Sequence, residues 1–352
     1  MLLEGVFAAA TTPFYPDERV YFRKLEFNIA RLSTTALSGL VVLGSTGEAV
    51  SLSDSESREV LRVASESAAP DKVLLAGVAR ESVKGTLELA DAAVEFGYDA
   101  VLVRNPSYYR PQLTHTALLN YFQSVADRSP LPVVLYSIPR FTEMEIPLEV
   151  VSALAQHPNI IGLKDSSGSV ERIRQVVQAT GTAPRRTVTV TPIFEAVTGR
   201  MLRARPAEGA ATFVSAQGLA SGSAVAEAAP VPALKTRTRE VGFQVLTGSP
   251  GTLKESLEAG ASGAVLAFAA CAPQACQEIY TAWKEHDDLL ALDRQRHISN
   301  ASNVVGSKLG VAGIKAACDF NGYYGGWPRL PLLPLDAMNR ARVEDILANI
   351  RN

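Results

Sequence analysis

The run Ile160-Ile161-Gly162-Leu163-Lys164-Asp165 is apolar until its last two residues, where a lysine and an aspartate stand side by side. Near-continuous hydrophobicity, rather than alternation of apolar and polar residues, is what a parallel strand covered on both faces requires. Seven further short, largely apolar runs, each with at least one β-branched residue, share this character, at residues 6–10, 40–43, 73–76, 100–103, 133–136, 244–247 and 264–268. Longer segments of helical period separate most of them, and some carry recognisable ends. Ser53 and Glu56 have capping-box spacing, and Gly97 stops a helix whose apolar stripe includes Val83, Leu87, Ala90, Ala93 and Val94. Eight strand–helix units close most economically into a ring, so the sequence predicts an α/β fold of the (β/α)8 TIM-barrel type.

One spacing breaks the rhythm. The sixth and seventh runs begin at residues 160 and 244, whereas a strand–helix unit needs roughly 30 residues. Residues 181–242 therefore read as an insertion between the sixth helix and the seventh strand. Its middle, 207–229, is rich in Ala, Gly and Ser, and short strands are expected at 187–190 and 211–215. Because a helix at 169–180 separates it from Lys164, the insertion is expected on the N-terminal face of the barrel; chemistry in this fold sits at the opposite face. Beyond the eighth run, residues 272–287, 289–305 and 335–350 have helical pattern. The expected organisation is a catalytic barrel over 1–288, interrupted by 181–242, followed by a C-terminal helical extension over 289–352.

Of the 352 residues, 47% are hydrophobic and 20% charged, which suits a globular chain with a large core. A formal net charge of -2 and a pI near 6.2 give no electrostatic reason to expect a nucleic acid or an anionic membrane as partner. Cys271, Cys276 and Cys318 are an odd set without Cys-x-x-Cys spacing, and no signal-like or membrane-spanning apolar run is evident, so a cytoplasmic location is expected. His115, His157, His286 and His297 lack the paired spacing of a helix-borne metal site, and no metal or other cofactor is expected.

Lys164 stands at the C-terminal end of its strand, where barrel chemistry is carried out. A lysine lowered into a barrel loses hydration of its charge, which favours the neutral amine as a nucleophile. The competing reading is a lysine that snorkels to the mouth and does no chemistry. The preceding strand ends in Leu135-Tyr136-Ser137-Ile138-Pro139, setting a phenol next to Lys164 in barrel order, where it can relay protons; a packed core tyrosine is the alternative. Gly44-Ser45-Thr46-Gly47-Glu48 follows the second strand. There, small residues let backbone N–H groups and two hydroxyls converge on an anion such as a carboxylate, although a plain strand-to-helix turn has the same composition. Glu48 is read as ordering this loop. Tyr108 and Tyr109, after the fourth strand, read either as surface packing or as lining the mouth of the site.

Taken in order, these segments together with Asn105-Pro106-Ser107-Tyr108-Tyr109, Gly162-Leu163-Lys164-Asp165-Ser166 and Gly248-Ser249 resemble the dihydrodipicolinate synthase / N-acetylneuraminate lyase family, from about Gly5 to the C-terminus apart from the insertion. The resemblance implies a Schiff base between Lys164 and pyruvate, with Tyr136 as proton relay assisted by Thr46 and Tyr108. It implies that Ser45 and Thr46 hold the pyruvate carboxylate, and that Gly248 and Val265 line the pocket, Val265 as an apolar wall. In the family the tyrosine matching Tyr108 reaches the site of a neighbouring subunit, which implies a homodimer or homotetramer.

The resemblance also bears on the second substrate, an aldehyde. Dihydrodipicolinate synthases usually carry an arginine two residues after the proline of the tyrosine motif, where it pairs with the carboxylate of aspartate semialdehyde. Here that position is Phe141; Arg140 is adjacent, but a one-residue shift on a turn redirects a side chain. Tyr108-Tyr109-Arg110, Gln156-His157-Pro158-Asn159-Ile160, Ser166 and Gly322-Tyr323-Tyr324-Gly325-Gly326 look instead like 4-hydroxy-2-oxoglutarate aldolases, in which the residue matching Ser166 contacts substrate. The expected activity is therefore cleavage of 4-hydroxy-2-oxoglutarate to pyruvate and glyoxylate. Behind it stand the synthase, and then an aldolase or dehydratase for a sugar-derived 2-keto acid. A non-catalytic keto-acid binder is disfavoured, since pure binding needs neither a nucleophile nor a proton relay.

Overall fold

The computed structural model describes residues 1–203 and 234–350, and in addition the backbone pairing of Thr212–Phe213 with Glu227–Ala228. Eight parallel strands form the centre: β1 (Gly5–Ala9), β2 (Gly39–Val42), β3 (Val73–Gly77), β4 (Ala100–Arg104), β5 (Val133–Ser137), β6 (Ile160–Asp165), β7 (Gln244–Thr247) and β8 (Gly263–Leu266). They close into a barrel in the order β1-β8-β7-β6-β5-β4-β3-β2, the ring being sealed where β1 pairs with both β8 and β2. Each apolar run of the sequence becomes one of these strands, and almost every strand residue is buried. This is the (β/α)8 TIM barrel.

The strands bury two faces against different partners. Phe7, Val41, Leu75, Leu102, Val134, Leu246 and Val265 fill the barrel interior, whereas Val6, Leu40, Leu74, Val101, Leu135 and Leu163 pack outward against the helices. Between β5 and β6 the register slips: Val133 faces Ile160, but Val134 faces Gly162, so Ile161 is an extra residue. A β-bulge of this kind reverses which face the following residues present. Beyond it, Leu163 lies outside with Leu135, and Lys164 lies inside between Tyr136 and Leu246. Gly162 serves the same junction, since a Cβ there would stand 2.3 Å from the Gln244 carbonyl oxygen.

The Ser53–Glu56 capping box is present at the start of the helix Asp54–Ser67. In the helix Val83–Glu95 the buried face is Thr86, Leu89, Ala90, Ala92 and Ala93; Val94, assigned to the apolar stripe, is exposed, because the stripe drifts by one position around the helix.

The insertion opens with an antiparallel pair, Arg186–Val190 with Arg237–Val241, so the strand expected at 187–190 exists. Of the strand expected at 211–215, Thr212–Phe213 is observed, while 211, 214 and 215 lie outside the described residues. Val188, Val190 and Val241 pack on Leu2, just before β1. The Arg186 guanidinium donates to the carbonyls of His157, Pro158 and Ile160, just before and at the start of β6. Gly199 N donates to Asp99, and Arg200 donates to the Lys72 carbonyl, immediately before β4 and β3. These contacts put the described part of the insertion at the N-terminal ends of the strands.

After β8 come helices Pro273–Lys284 and Asp288–Ser302, then a π-helical turn Asn303–Lys308, and helices Gly310–Phe320 and Ala337–Leu347. The helix Gly310–Phe320 and the π-turn were not expected from the sequence. Gly306, Gly310 and Gly313 interrupt the apolar period there. No described helix is long and apolar enough to cross a membrane.

Candidate active site

At the C-terminal mouth of the barrel a cavity of about 460 Å³ is lined by Ser45, Thr46, Tyr136, Arg140, Phe141, Lys164, Ser166, Gly248 and Val265. Nine of the ten residues singled out from the sequence thus converge on one space. Lys164 is 4% exposed, and its Nζ lies 4.0 Å from the centroid of the Tyr136 ring. Paired strands set this proximity directly, since Tyr136 and Lys164 are register partners.

The hydroxyl beside the Tyr136 phenol is that of Ser45, next to Thr46, which the resemblance implies as the relay's assistant. Ser45 Oγ stands 3.4 Å from Tyr136 Oη, at the long end of hydrogen bonding, and no hydrogen bond joins Thr46 to Tyr136 among the described residues. Ser45 and Thr46 occupy a 3-10 turn, Ser45–Gly47, bracketed by Leu43 at φ 59° and Glu48 at φ 55°. Two non-glycine residues in the left-handed region within six positions require outside support. Glu48 receives it: its carboxylate, buried, pairs with Lys315 Nζ at 2.5 Å and accepts from Arg329 N at 2.8 Å. Lys315 also donates to the Trp327 carbonyl. Burial pushes the Lys315 ammonium below its ordinary pKa, with Glu48 opposing that shift. Glu48 therefore orders the loop, as its sequence position suggested.

Past Lys164 the chain turns on Asp165. Its buried carboxylate accepts from Ser167 N at 2.9 Å and from Ser167 Oγ at 2.5 Å, and its carbonyl accepts from Gly248 N at 2.6 Å. Those bonds present Ser166 to the cavity, with Ser166 N donating to the Ser137 carbonyl at 2.9 Å. Gly248 has no room for a side chain, because a Cβ would come within 2.0 Å of Ser166 Oγ. Val265, 1% exposed, forms an apolar wall from β8.

Tyr108 is the exception. It is 79% exposed and lines a separate cleft of about 690 Å³ with Glu81, Arg104 and Arg110; Phe141 borders both spaces. Within one chain Tyr108 does not reach Lys164's cavity. The Gln156-His157-Pro158-Asn159 segment lies at the other end of the barrel, where Asn159 Nδ2 donates to the carbonyls of Ala126, Ser129 and Leu131. In the Gly322–Gly326 segment, Tyr324 packs edge-on against Tyr21 and its main chain is held by Asn28. Neither segment lines the Lys164 cavity.

Sequence reasoning missed the wall supplied from beyond the barrel. Ser302, Gly306, Ser307 and Gly310 line the cavity, as does Ser249 after β7. The only sequence signal for the first four was glycine and serine interrupting a helical pattern.

The model of the dihydrodipicolinate synthetase family matches residues 2–185 and 224–350, leaving out a stretch that falls within the insertion. A 4-hydroxy-tetrahydrodipicolinate synthase of Methanothrix thermoacetophila is 26% identical over 99% of this chain and 97% of its own. An L-threo-3-deoxy-hexylosonate aldolase of Hypocrea jecorina is 29% identical over 99% of this chain and 95% of its own. Among solved structures, YagE of Escherichia coli K12, determined in complex with pyruvate, superposes with a TM-score of 0.77 at 24% identity over 99% of each chain. Dihydrodipicolinate synthase DapA-2 of Bacillus anthracis does so at 0.78 and 20% over the whole of both chains. Fold, site and sequence match agree, and the chain belongs to the dihydrodipicolinate synthetase family.

Proposed function

We propose that the protein is a class I, Schiff-base aldolase that makes or breaks a carbon–carbon bond next to pyruvate. The observation that carries this reading is the Lys164 Nζ held 4.0 Å from the Tyr136 ring, with the Ser45 hydroxyl at the phenol, in one cavity. In the synthetic direction the amine adds to C2 of pyruvate, and the carbinolamine loses water to give an iminium. Tyr136 carries the protons that leave nitrogen and reach the departing hydroxyl. The iminium accepts the electron pair left when the methyl loses a proton, and the resulting enamine attacks an aldehyde. Cleavage runs the same steps backwards. Ser45 and Thr46 hold the pyruvate carboxylate, and Tyr108 of a second copy completes the relay in a homodimer or homotetramer.

Cleavage of 4-hydroxy-2-oxoglutarate to pyruvate and glyoxylate is the favoured reaction, because Phe141 stands where an arginine would meet aspartate semialdehyde. Loss of a charge-assisted pair costs about 1.5–3 kcal/mol, or roughly ten- to a hundredfold in specificity. A sugar-derived 2-keto acid is the second reading, favoured by the serines along the cavity and by the aldolase relative from Hypocrea jecorina.

Borohydride reduction in the presence of pyruvate, followed by peptide mass analysis, tests the first claim. The expected adduct is on Lys164 and disappears in Lys164→Ala; an adduct on Lys254 or Lys315 instead overturns it. For the substrate, kcat/KM for cleaving 4-hydroxy-2-oxoglutarate should exceed that for condensing pyruvate with aspartate semialdehyde, and Phe141→Arg should narrow the gap. A preference for aspartate semialdehyde makes the synthase the answer.

A further inference from the structure

Arg140 sits on the short turn Pro139–Thr142 that follows β5. Its guanidinium Nη2 donates to the main-chain carbonyl of Ser307 at 2.5 Å, joining the barrel mouth to a residue 167 positions later in the chain. The same guanidinium lies over the Phe141 ring at 5.8 Å. Ser307 belongs to the π-helical turn Asn303–Lys308, and both it and Gly306 face the Lys164 cavity. π-Helical turns are rare and frequently found at functional sites. This one is confined on its other side. Leu309 N donates to the Val304 carbonyl at 3.0 Å, Gly310 takes the left-handed φ of +63°, and a Cβ on Gly313 would stand 2.2 Å from the Val305 carbonyl oxygen. The turn is therefore pressed against the helix that follows it, and on the cavity side its described side-chain tie to the barrel is Arg140.

We propose that Arg140 is a positioning residue: it holds the turn Asn303–Lys308 as the far wall of the Lys164 cavity, and through that wall decides which acceptors fit. Besides Lys164 it is the charged residue that lines this cavity, and its guanidinium is turned to the protein's own backbone. The far end of the acceptor then meets serine hydroxyls and main-chain groups, among them Ser166, Ser249 and Ser307. Among the described residues those three side-chain hydroxyls make no hydrogen bond, so they are free to bind a substrate. This inference rests on the aldolase reading given above.

The test separates a wall from a direct ligand by the charge of the substrate. Arg140→Ala and Arg140→Lys are compared with the unmodified protein in cleaving 4-hydroxy-2-oxoglutarate, which has a second carboxylate, and 4-hydroxy-2-oxopentanoate, which has a methyl in its place. Arg140→Ala should raise KM for both by a similar factor of about five to ten, with kcat moving less, and Arg140→Lys should restore most of it through its own donor. Backbone amides of residues 303–310 should exchange with deuterium about tenfold faster in Arg140→Ala, the scale of one charge-assisted hydrogen bond. A loss confined to the dicarboxylate, or unchanged exchange over 303–310, overturns the proposal. Failure of the unmodified protein to form a pyruvate adduct on Lys164 refutes the aldolase reading instead; the exchange measurement still decides whether Arg140 holds the turn.

Discussion

Tyr136 and Ser45 form a short hydroxyl chain that starts beside Lys164 and ends on the 3-10 turn. Replacing Tyr136 by Phe keeps the ring under the amine and removes only the transferable proton, so turnover should fall by ~100-fold or more while the melting temperature stays near that of the parent. Ser45→Ala should cost more than Thr46→Ala in kcat, because Ser45 is the residue at the phenol; the reverse order in steady-state kinetics would return the relay to Thr46. At Gly248 the constraint is steric. Gly248→Ala brings a methyl against Ser166 Oγ and near the Asp165 carbonyl, and kcat/KM should drop with Ser166 displaced. Unaltered kinetics there would remove Ser166 from the site. Lys164 and Tyr136 were legible in the sequence because each ends an apolar run. The choice between Ser45 and Thr46 was not, since adjacent hydroxyls look alike until the turn that carries them is known.

Among the elements, β6 shows how much aiming can depend on one residue. Ile160 and Ile161 are both apolar and suit either face, so the bulge between them left no trace in the sequence. Without the extra residue the strand must slip by one, which turns Lys164 toward the helices. Deletion of Ile161 should therefore abolish pyruvate trapping even if circular dichroism still reports a folded barrel; persistent trapping would show that the bulge does not aim the lysine. The helix Asp54–Ser67 makes a second case. Glu56 closes its capping box and also takes a bidentate contact from Arg329, at 2.8 Å to each oxygen. The Arg329 guanidinium, chiefly, draws the Glu56 carboxyl down to about 2. A carboxyl depressed on folding stabilises the fold above the usual carboxylate range, near pH 4.5, and loses that contribution as the pH falls through about 2. The stability difference between the parent and Arg329→Ala should be full at pH 6 and shrink between pH 4.5 and 2; a difference that is constant with pH would place the effect elsewhere. The capping box was legible from its spacing, but nothing in the sequence tied Glu56 to a residue 273 positions away.

For the whole molecule, the barrel was readable because parallel strands buried on both faces leave a distinctive composition, and the insertion because it broke a regular spacing. The wall contributed by residues 302–310 was not, since a long-range contact made by serine, glycine and main chain has no periodicity. Tyr108, exposed beside the cleft that Phe141 shares with the site, raises the question of a second chain. Mixed oligomers answer it: Lys164→Ala and Tyr108→Phe chains, each impaired alone, should recover part of the turnover when co-assembled. No recovery would confine the reaction to one chain. The described part of the insertion meets the barrel at the ends of the strands remote from Lys164, with Arg186, Gly199 and Arg200 bound to the residues just before β6, β4 and β3. Changes confined to that described part should accordingly leave pyruvate trapping on Lys164 unaltered; a loss of trapping would couple the two ends. A reporter domain or a surface anchor joined at Arg203, whose guanidinium lies against Gly97 just before β4, should leave the catalytic mouth facing solution and so serve as a handle for oriented attachment.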